Sequence, residues 1–116
     1  HIDVPALPAS DLQQRTPVED SATVRVRVIA ARQQQVRRQG HGNHRLSPQQ
    51  LDLHAALSPA EQQIMQMAQE RVGLSARGYQ RVLRVARTIA DLAGAASIAS
   101  VHLTEALGYR GNMDAR

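Results

Sequence analysis

The clearest pattern of hydrophobic and polar positions runs from residue 74 to residue 92. Apolar side chains recur there at helical spacing and fall on one broad face of a helix. The apolar positions are Tyr79, Val82, Leu83, Ala86, Ile89 and Ala90. The opposite face carries four arginines, which we name the arginine stripe: Arg77, Arg81, Arg84 and Arg87.

Both ends of this stretch carry residues that start and stop helices. Ser75 stands where a hydroxyl can accept a hydrogen bond from a free backbone N–H of the first turn. Gly94 stands at the other end, where a glycine in the left-handed conformation commonly ends a helix. We therefore predict one capped amphipathic helix between these two residues.

A first helix is predicted upstream, from Ser21 to Gln39. Arg37 and Arg38 lie in its last turn, where cations are favoured by the helix dipole. The inward stripe predicted for this helix comprises Ala22, Val26, Ile29, Ala30 and Val36.

Serine–proline pairs predict the starts of two further helices, because serine is a good N-cap and proline fits the first helical position. Ser47-Pro48 opens a short helix that ends near Leu57. Ser58-Pro59 opens the next one, with Glu61 completing a capping box, and Gly73 ends it. The inward residues predicted for this helix are Ile64, Met67, Ala68 and Val72.

The last helix is predicted after a linker from Gly94 to Ala99. Ser100 is its predicted cap, and the segment 108–110 is its predicted end. Its apolar positions are Leu103, Ala106 and Leu107.

Composition limits the fold to a small helical one. The 116 residues contain no Phe, Trp or Cys and two Tyr, so the core must consist of Leu, Ile, Val, Ala and Met. Alanine and leucine favour helices, whereas a sheet usually contains more β-branched and aromatic residues. We predict an all-α domain over residues 21–110, a bundle of four to five helices.

The two ends differ from this domain. His1–Pro5 alternates polar and apolar residues like the end of a strand, and prolines then interrupt any regular element. We expect residues 1–20 to be a disordered tail, the remnant of a strand and linker from something larger. Residues 111–116 are expected to be a frayed C-terminus.

Charge indicates an anionic partner. The net charge is +4 and every one of the fourteen basic residues is arginine, whose planar guanidinium binds phosphate at two points. No apolar run reaches about 20 residues, and no signal-peptide pattern is present, so we expect no membrane association and a cytoplasmic location.

The sequence contains no self-contained active site. A Walker A loop requires a lysine, and the chain has none. It also lacks a catalytic cysteine and the paired acids that hold Mg²⁺ after a buried strand. His41 and His44 are close in sequence, but no third ligand is evident, so we predict no metal site.

The arginine stripe is the best candidate for chemistry. Such a stripe is most often a solvated outer face. Arg77, however, lies in the first turn, where a cation opposes the helix dipole, and an anion docked at the free N–H groups would relieve that cost. Asp91 is the one acid on this helix, so the stripe is poorly neutralised within it.

These residues resemble a known family. The segment 73–92 closely resembles the C-terminal part of the bacterial magnesium-chelatase-like AAA+ ATPases, the ComM/YifB group. Residues 102–110 resemble the closing helix of that family, residues 24–32 and Asn43 also fit, and residues 1–5 resemble the segment leaving the ATPase core. The likeness covers most of the chain and is looser from residue 40 to residue 58.

The resemblance implies that residues 21–110 are the helical lid of a longer, hexameric P-loop ATPase, the parent protein. Its missing N-terminal core would carry Walker A, Walker B and the arginine finger, and would bind ATP and Mg²⁺. By motif match Arg77 is the sensor-2 arginine that contacts the γ-phosphate, with Ser75 as the helix N-cap. The fragment alone would bind no cofactor and would not be catalytic.

The output of the parent protein and two other roles for the stripe stay open. ComM-type members are taken to drive DNA branch migration, whereas relatives in magnesium chelatase drive metal insertion into porphyrin; the segment 75–79 is closer to the ComM type. Alternatively, the chain is a stand-alone basic module that binds nucleic acid. Three arginines are candidates for contact with DNA or with a neighbouring subunit: Arg81, Arg84 and Arg87.

Overall fold

The computed structural model describes residues 20–114, with side chains described as far as Tyr109. Within that range the chain forms five α-helices and no strand, which confirms the all-α prediction. The helices are α1 (Ser21–Gln39), α2 (Pro48–His54), α3 (Pro59–Val72), α4 (Ala76–Leu92) and α5 (Ser100–Asp114), and a 3₁₀ turn at Asn43–Arg45 links α1 to α2.

The predictions for the N-terminal tail fall outside this range. The expected strand remnant at residues 1–5 and the rest of the tail up to residue 19 are not among the described residues. In the described part of the chain, no helix is long and apolar enough to cross a membrane.

Local capping explains where the helices begin. Asp20 accepts a hydrogen bond from the Thr23 N–H at 2.7 Å at the start of α1. At the start of α2, the Gln50 N–H donates to Ser47 Oγ at 3.2 Å, and the Ser47 N–H donates to Gln50 Oε1 at 3.0 Å. The capping box predicted for α3 is confirmed, because the Ser58 N–H donates to the Glu61 carboxylate at 3.1 Å.

Glycines with positive φ mark the ends of three helices. Gly40 (φ 89°) and Gly73 (φ 66°) are the C-caps of α1 and α3, and Gly94 (φ 72°) directly follows the C-cap of α4. Residues with a Cβ are disfavoured in this conformation, so glycine is the residue that lets the chain turn back at these points. The predicted stop at Gly94 is confirmed.

Helix α4 is the centre of the domain. Its predicted apolar face is confirmed, since Val82, Leu83, Ala86 and Ala90 are buried and Tyr79 and Ile89 are partly buried against them. The side chains that complete this core come from α2, α3, α5 and the segments between helices, and none comes from α1: Leu46, Leu51, Ala55, Met65, Leu74, Ile98, Leu103 and Ala106. A displacement of α4 would therefore disturb the packing of most of the core.

The inward stripe predicted for α1 is wrong. Val26, Ile29 and Val36 are 65%, 48% and 50% exposed, whereas the residues that α1 buries are Ala31 and Gln35. Every residue from 21 to 30 is exposed. The orientation of α1 is determined by polar contacts of its C-terminal half, described below, rather than by its valines and isoleucine.

The predicted inward face of α3 is also partly wrong. Met65 is fully buried, whereas Met67 and Val72 are exposed. The capping residue Glu61 is buried as well, because its carboxylate accepts a hydrogen bond from Ser100 Oγ at 2.8 Å. This contact ties α3 to α5, and the buried face of α3 carries Glu61 and Met65 rather than Met67 and Val72.

Two helix boundaries and one cap differ from prediction. Helix α2 ends at His54 rather than near Leu57, and α5 continues to Asp114, past the predicted end and into the segment expected to fray. Ser100 is the first residue of α5 rather than its cap. The His102 ring supplies the capping contact by accepting from the Ala99 N–H at 2.9 Å.

Candidate functional site

The candidate site lies at the N-terminus of α4. Ser75 adopts an extended backbone (φ −73°, ψ 168°), and its Oγ accepts a hydrogen bond from the Gly78 N–H at 3.0 Å, which confirms the predicted N-cap. The backbone N–H groups of Ala76 and Arg77 have no acceptor among the described residues. These two groups point along the helix axis at its positive end and are available to an anion.

Arg77 occupies the first turn of this helix and is exposed. Its guanidinium forms no hydrogen bond or ion pair with any described residue, and the first turn contains no acid. A cation at the positive end of a helix is unfavourable without a compensating anion. The first turn of α4 thus carries a guanidinium and two backbone N–H donors that have no partner among the described residues.

A glycine allows this turn to pack closely. A Cβ built at Gly78 would lie 3.2 Å from Leu74 Cδ1 and 3.3 Å from Ser75 Oγ. Leu74 is buried in the core, so the chain entering α4 is fixed immediately before the site. The sequence Ser75–Tyr79 therefore combines a cap, a cation and a close packing contact within one turn.

Arg81 lies one turn further along α4 and is also exposed. It forms no hydrogen bond or ion pair with the described residues. Together with Arg84 it lines a groove of about 420 Å³ whose other residues are His44, Val85, Thr88 and Ile89.

Arg84 has a structural role that the sequence did not reveal. Its Nε and Nη2 both donate to the Leu46 carbonyl oxygen, at 3.2 and 2.9 Å. Leu46 is fully buried and follows the 3₁₀ turn. Arg84 therefore holds the α1–α2 connection against α4, and part of its hydrogen-bonding capacity is used inside the domain.

Arg87 departs furthest from the predicted solvent-exposed stripe, because it is 2% exposed. Its Nη1 donates to the carbonyls of His54 (3.2 Å) and Ala96 (3.3 Å), and its Nη2 donates to the carbonyl of Ala95 (3.0 Å). The same Nη2 lies 2.9 Å from Asp91 Oδ1. Burial lowers the pKa of Arg87, although arginine remains charged in proteins. As a buried residue in this chain, Arg87 does not share the surface of Arg81.

Asp91 is the acceptor at the centre of this buried network. Its side chain is fully buried, and it accepts two hydrogen bonds from Arg38, one from Asn43 and an ion pair from Arg87. Burial by itself would raise the pKa of Asp91, but the hydrogen bonds from Arg38 and Asn43 and the charge of Arg87 outweigh it and hold that pKa below its ordinary value.

Asn43 extends the network through the 3₁₀ turn. Its Oδ1 accepts from Arg38 Nη2 and from Gln39 Nε2, each at 2.9 Å, and its backbone N–H donates to Gln35 Oε1 at 3.1 Å. Its Nδ2 donates to Thr88 Oγ1 at 3.0 Å. The spacing of Arg87 and Asp91 is a signal for a helical ion pair that sequence analysis could have used, whereas no local signal links either of them to Asn43.

The two histidines in the loop after α1 do not form a metal site with other ligands in the described part of the chain. His41 Nδ1 lies 3.0 Å from the Gly42 carbonyl oxygen, and His44 is exposed. Among the residues from 20 to 114 whose side chains are described, no three His, Cys, Asp or Glu residues come together in a way that could hold a metal ion.

Comparison with known proteins identifies the family. Residues 18–110 match the family model described as magnesium chelatase, subunit ChlI C-terminal. The chain thus belongs to this family, which confirms the resemblance read from the segment 73–92.

Three relatives show which proteins this chain is similar to. The chain is 41% identical to competence protein ComM of Haemophilus influenzae, 40% identical to protein YifB of Salmonella typhimurium and 37% identical to protein YifB of Escherichia coli. Each comparison covers 110 residues, which are 94% of this chain but 22% of the relative. The chain is therefore the C-terminal domain of a ComM-like protein and spans about a fifth of the length of these relatives.

Proposed function

We propose that this domain is the lid of a hexameric AAA+ ATPase and that Arg77 is its sensor-2 arginine, which contacts the γ-phosphate of ATP. The observation that supports this most directly is the contrast within the arginine stripe. Arg84 and Arg87 are bonded inside the domain, whereas Arg77 is exposed and has no partner among the described residues. The backbone N–H groups of Ala76 and Arg77, in the same turn, have no acceptor among the described residues either.

The chemistry assigned to Arg77 is electrostatic. Hydrolysis transfers the γ-phosphoryl group of ATP to water and releases ADP and phosphate. Charge on the transferring group is stabilised by cations placed in advance, and an arginine can donate two hydrogen bonds to it. The free N–H groups of Ala76 and Arg77 would add to this field at the end of the helix.

The position of Arg77 also gives a route from the nucleotide to the lid. Arg77 is on α4, the helix that packs against the rest of the bundle. Arg87 and Asp91 bond the same helix to α1 and to the α4–α5 loop. Gain or loss of the phosphate contact would therefore move the domain as a unit rather than bend it.

The remaining parts of the catalytic machinery would lie in the core of the parent protein. That core would hold ATP and Mg²⁺ through Walker A and Walker B, and neighbouring subunits would complete each site in the ring. The described domain would hydrolyse no ATP by itself.

For the work done with this ATP we propose DNA branch migration in the cytoplasm. Support comes from 41% identity to a protein named competence protein ComM. Metal insertion is the alternative output. It is less supported, because it rests on the description of the family model, whereas the relatives matched along 94% of this chain are ComM and YifB proteins.

A stand-alone nucleic-acid-binding module has less support than the lid. Of the three arginines considered for it, Arg87 is buried and Arg84 is bonded to Leu46. Arg81 is the exposed member, and we propose that it contacts DNA or a neighbouring subunit. A salt titration of DNA binding by the 116-residue chain distinguishes the lid from the stand-alone module. Strong DNA binding that falls steeply with salt would favour the module.

The direct test is ATP turnover by the full-length parent protein. Arg77→Ala is expected to reduce kcat by about 100-fold or more, the cost typical of removing one donor to a transition state. The matched control is Arg71→Ala, which removes an exposed arginine from the end of α3. Turnover that is unchanged by Arg77→Ala in a folded protein would rule out the sensor role.

A further inference from the structure

Helix α1 carries an apolar stripe on its outer face that nothing in the described part of the chain covers. Four apolar residues and one glutamine follow one another at spacings of four, three, four and three residues: Ala22, Val26, Ile29, Gln33 and Val36. This is the a/d spacing of a helix that packs against another element along its length. All five residues are exposed. The stripe, which we name the outer seam, lies away from Ala31 and Gln35, the residues that α1 buries in the domain.

The charges beside the outer seam have one sign. Helix α1 contains five arginines and no acid. In the heptad defined by the seam, Arg25 and Arg32 border one side and Arg37 borders the other. Residues at these bordering positions select the partner of a packed helix through their charge.

Charge argues against a second copy of the same helix. Two copies packed seam to seam would place these arginines opposite one another in either direction, which is unfavourable. A nucleic acid would pair with the arginines but would leave Val26, Ile29 and Val36 exposed. An acidic protein surface with an apolar groove satisfies both features, because helices often bind such grooves through residues at i, i+3, i+4 and i+7.

We propose that the outer seam docks into an acidic, apolar-lined groove on the part of the parent protein that precedes this domain. The inference rests on the proposed function for the presence of that preceding ATPase part. The curated relatives are several times longer than this chain, which covers 22% of each. The seam spans about two heptads, short of the three to four typical of an independent coiled coil, so it suits an existing surface of a tethered neighbour.

The docked helix would connect the two parts mechanically. Its inner face is bonded to α4 through the ion pair of Arg38 with Asp91. Its outer face would hold the preceding part through the seam. Movement of α4 would then reach the ATPase core through α1 as well as through the nucleotide.

Photo-crosslinking in the full-length parent protein tests this proposal. The probe p-benzoylphenylalanine replaces Val26 in the seam, and in a control protein it replaces Val101 on α5. The two valines are matched in exposure, 65% and 67%. The expected result is a crosslink from position 26 to an acidic segment of the preceding part, found by mass spectrometry, with at least tenfold lower yield from position 101.

Charge reversal tests the electrostatic half of the inference. Arg25→Glu together with Arg32→Glu is expected to lower the crosslink yield from position 26 about tenfold, because two ion pairs at the border of the seam become repulsive. Arg71→Glu, on α3, is the matched control and should leave the yield unchanged. Both variants should keep the wild-type circular dichroism spectrum, since these arginines are exposed.

Other results would overturn the proposal. They are a crosslink from position 26 to the same helix of a second copy, a crosslink to bound DNA, equal yields from positions 26 and 101, or no crosslink. The sensor proposal fails separately: Arg77→Ala should leave the crosslink in place whatever it does to ATP turnover.

Discussion

Arg38 and Asp91 lie 53 residues apart in the chain and are joined by two parallel hydrogen bonds of 2.9 and 3.1 Å. The pair connects the last turn of α1 with the last turn of α4. Because the Asp91 side chain is fully buried, its negative charge is stabilised by Arg38, Arg87 and Asn43 rather than by water. This relationship determines which face of α1 turns toward the domain.

Replacing Asp91 with asparagine should destabilise the domain strongly. The substitution keeps the shape of the side chain but leaves the buried guanidinium of Arg87 without its anion. Breaking a buried ion pair in this way typically costs about 3–5 kcal/mol. Urea unfolding followed by circular dichroism measures the loss, and Asp52→Asn, at an exposed acid on α2, should change stability by less than about 0.5 kcal/mol. Equal effects of the two substitutions would contradict the role assigned to Asp91.

The contribution of Asp91 should depend on pH. Its pKa in the folded domain lies below the ordinary value of 3.8, so its stabilisation is complete above that value and disappears as pH falls through the lower, folded-state pKa. Hydrogen bonds from Ser58 and Ser100 lower the pKa of Glu61 too, so the domain as a whole should weaken in acid. The difference in unfolding free energy between wild type and Asp91→Asn should be constant from about pH 5 to pH 7 and shrink below about pH 4. A difference that grows in acid would contradict this prediction.

Arg87 and Arg81 should respond differently to the same substitution. Arg87→Lys keeps the charge, but an ammonium group cannot reach three carbonyls and Asp91 at once, so the expected loss is about 2–3 kcal/mol of unfolding free energy. Arg81→Lys alters an exposed side chain and should cost less than about 0.5 kcal/mol. Thermal unfolding of both variants measures this contrast. Similar melting temperatures would mean that the internal bonds of Arg87 contribute little.

The N-cap of α4 should contribute measurably to stability. Ser75→Ala removes the acceptor for the Gly78 N–H and should cost about 1 kcal/mol, which corresponds to a decrease of roughly 5 °C in Tm for a domain of this size. Ser75→Asp retains an acceptor and should restore the stability. The control is Ser97→Ala, in the exposed α4–α5 loop, which should leave Tm unchanged within 1–2 °C.

Local features of the sequence determined the existence of the helices and most of their ends. Ser47, Ser58 and Ser75 act within one turn of themselves, and Gly40 and Gly73 end helices through their own backbone conformation. Such interactions need no distant partner, so they can be predicted from a short window of residues. The apolar face of α4 was equally predictable, because the central helix of a small bundle buries its apolar side against its neighbours.

Tertiary structure alone decided how the charged residues are used. Sequence analysis placed Arg77, Arg84 and Arg87 on one polar face, yet their surroundings range from exposed at Arg77 to fully enclosed at Arg87. The sequence pattern also predicted that the valines of α1 face inward. In the structure, the bonds of Arg38 to Asp91 place Gln35 inward instead. The bonds of Arg38 to Asp91, of Arg84 to Leu46 and of Arg87 to His54 each join residues more than thirty positions apart, whose meeting in space no local pattern encodes. A buried charge must meet its partners wherever the fold places them, and that requirement outweighed the hydrophobic pattern of α1.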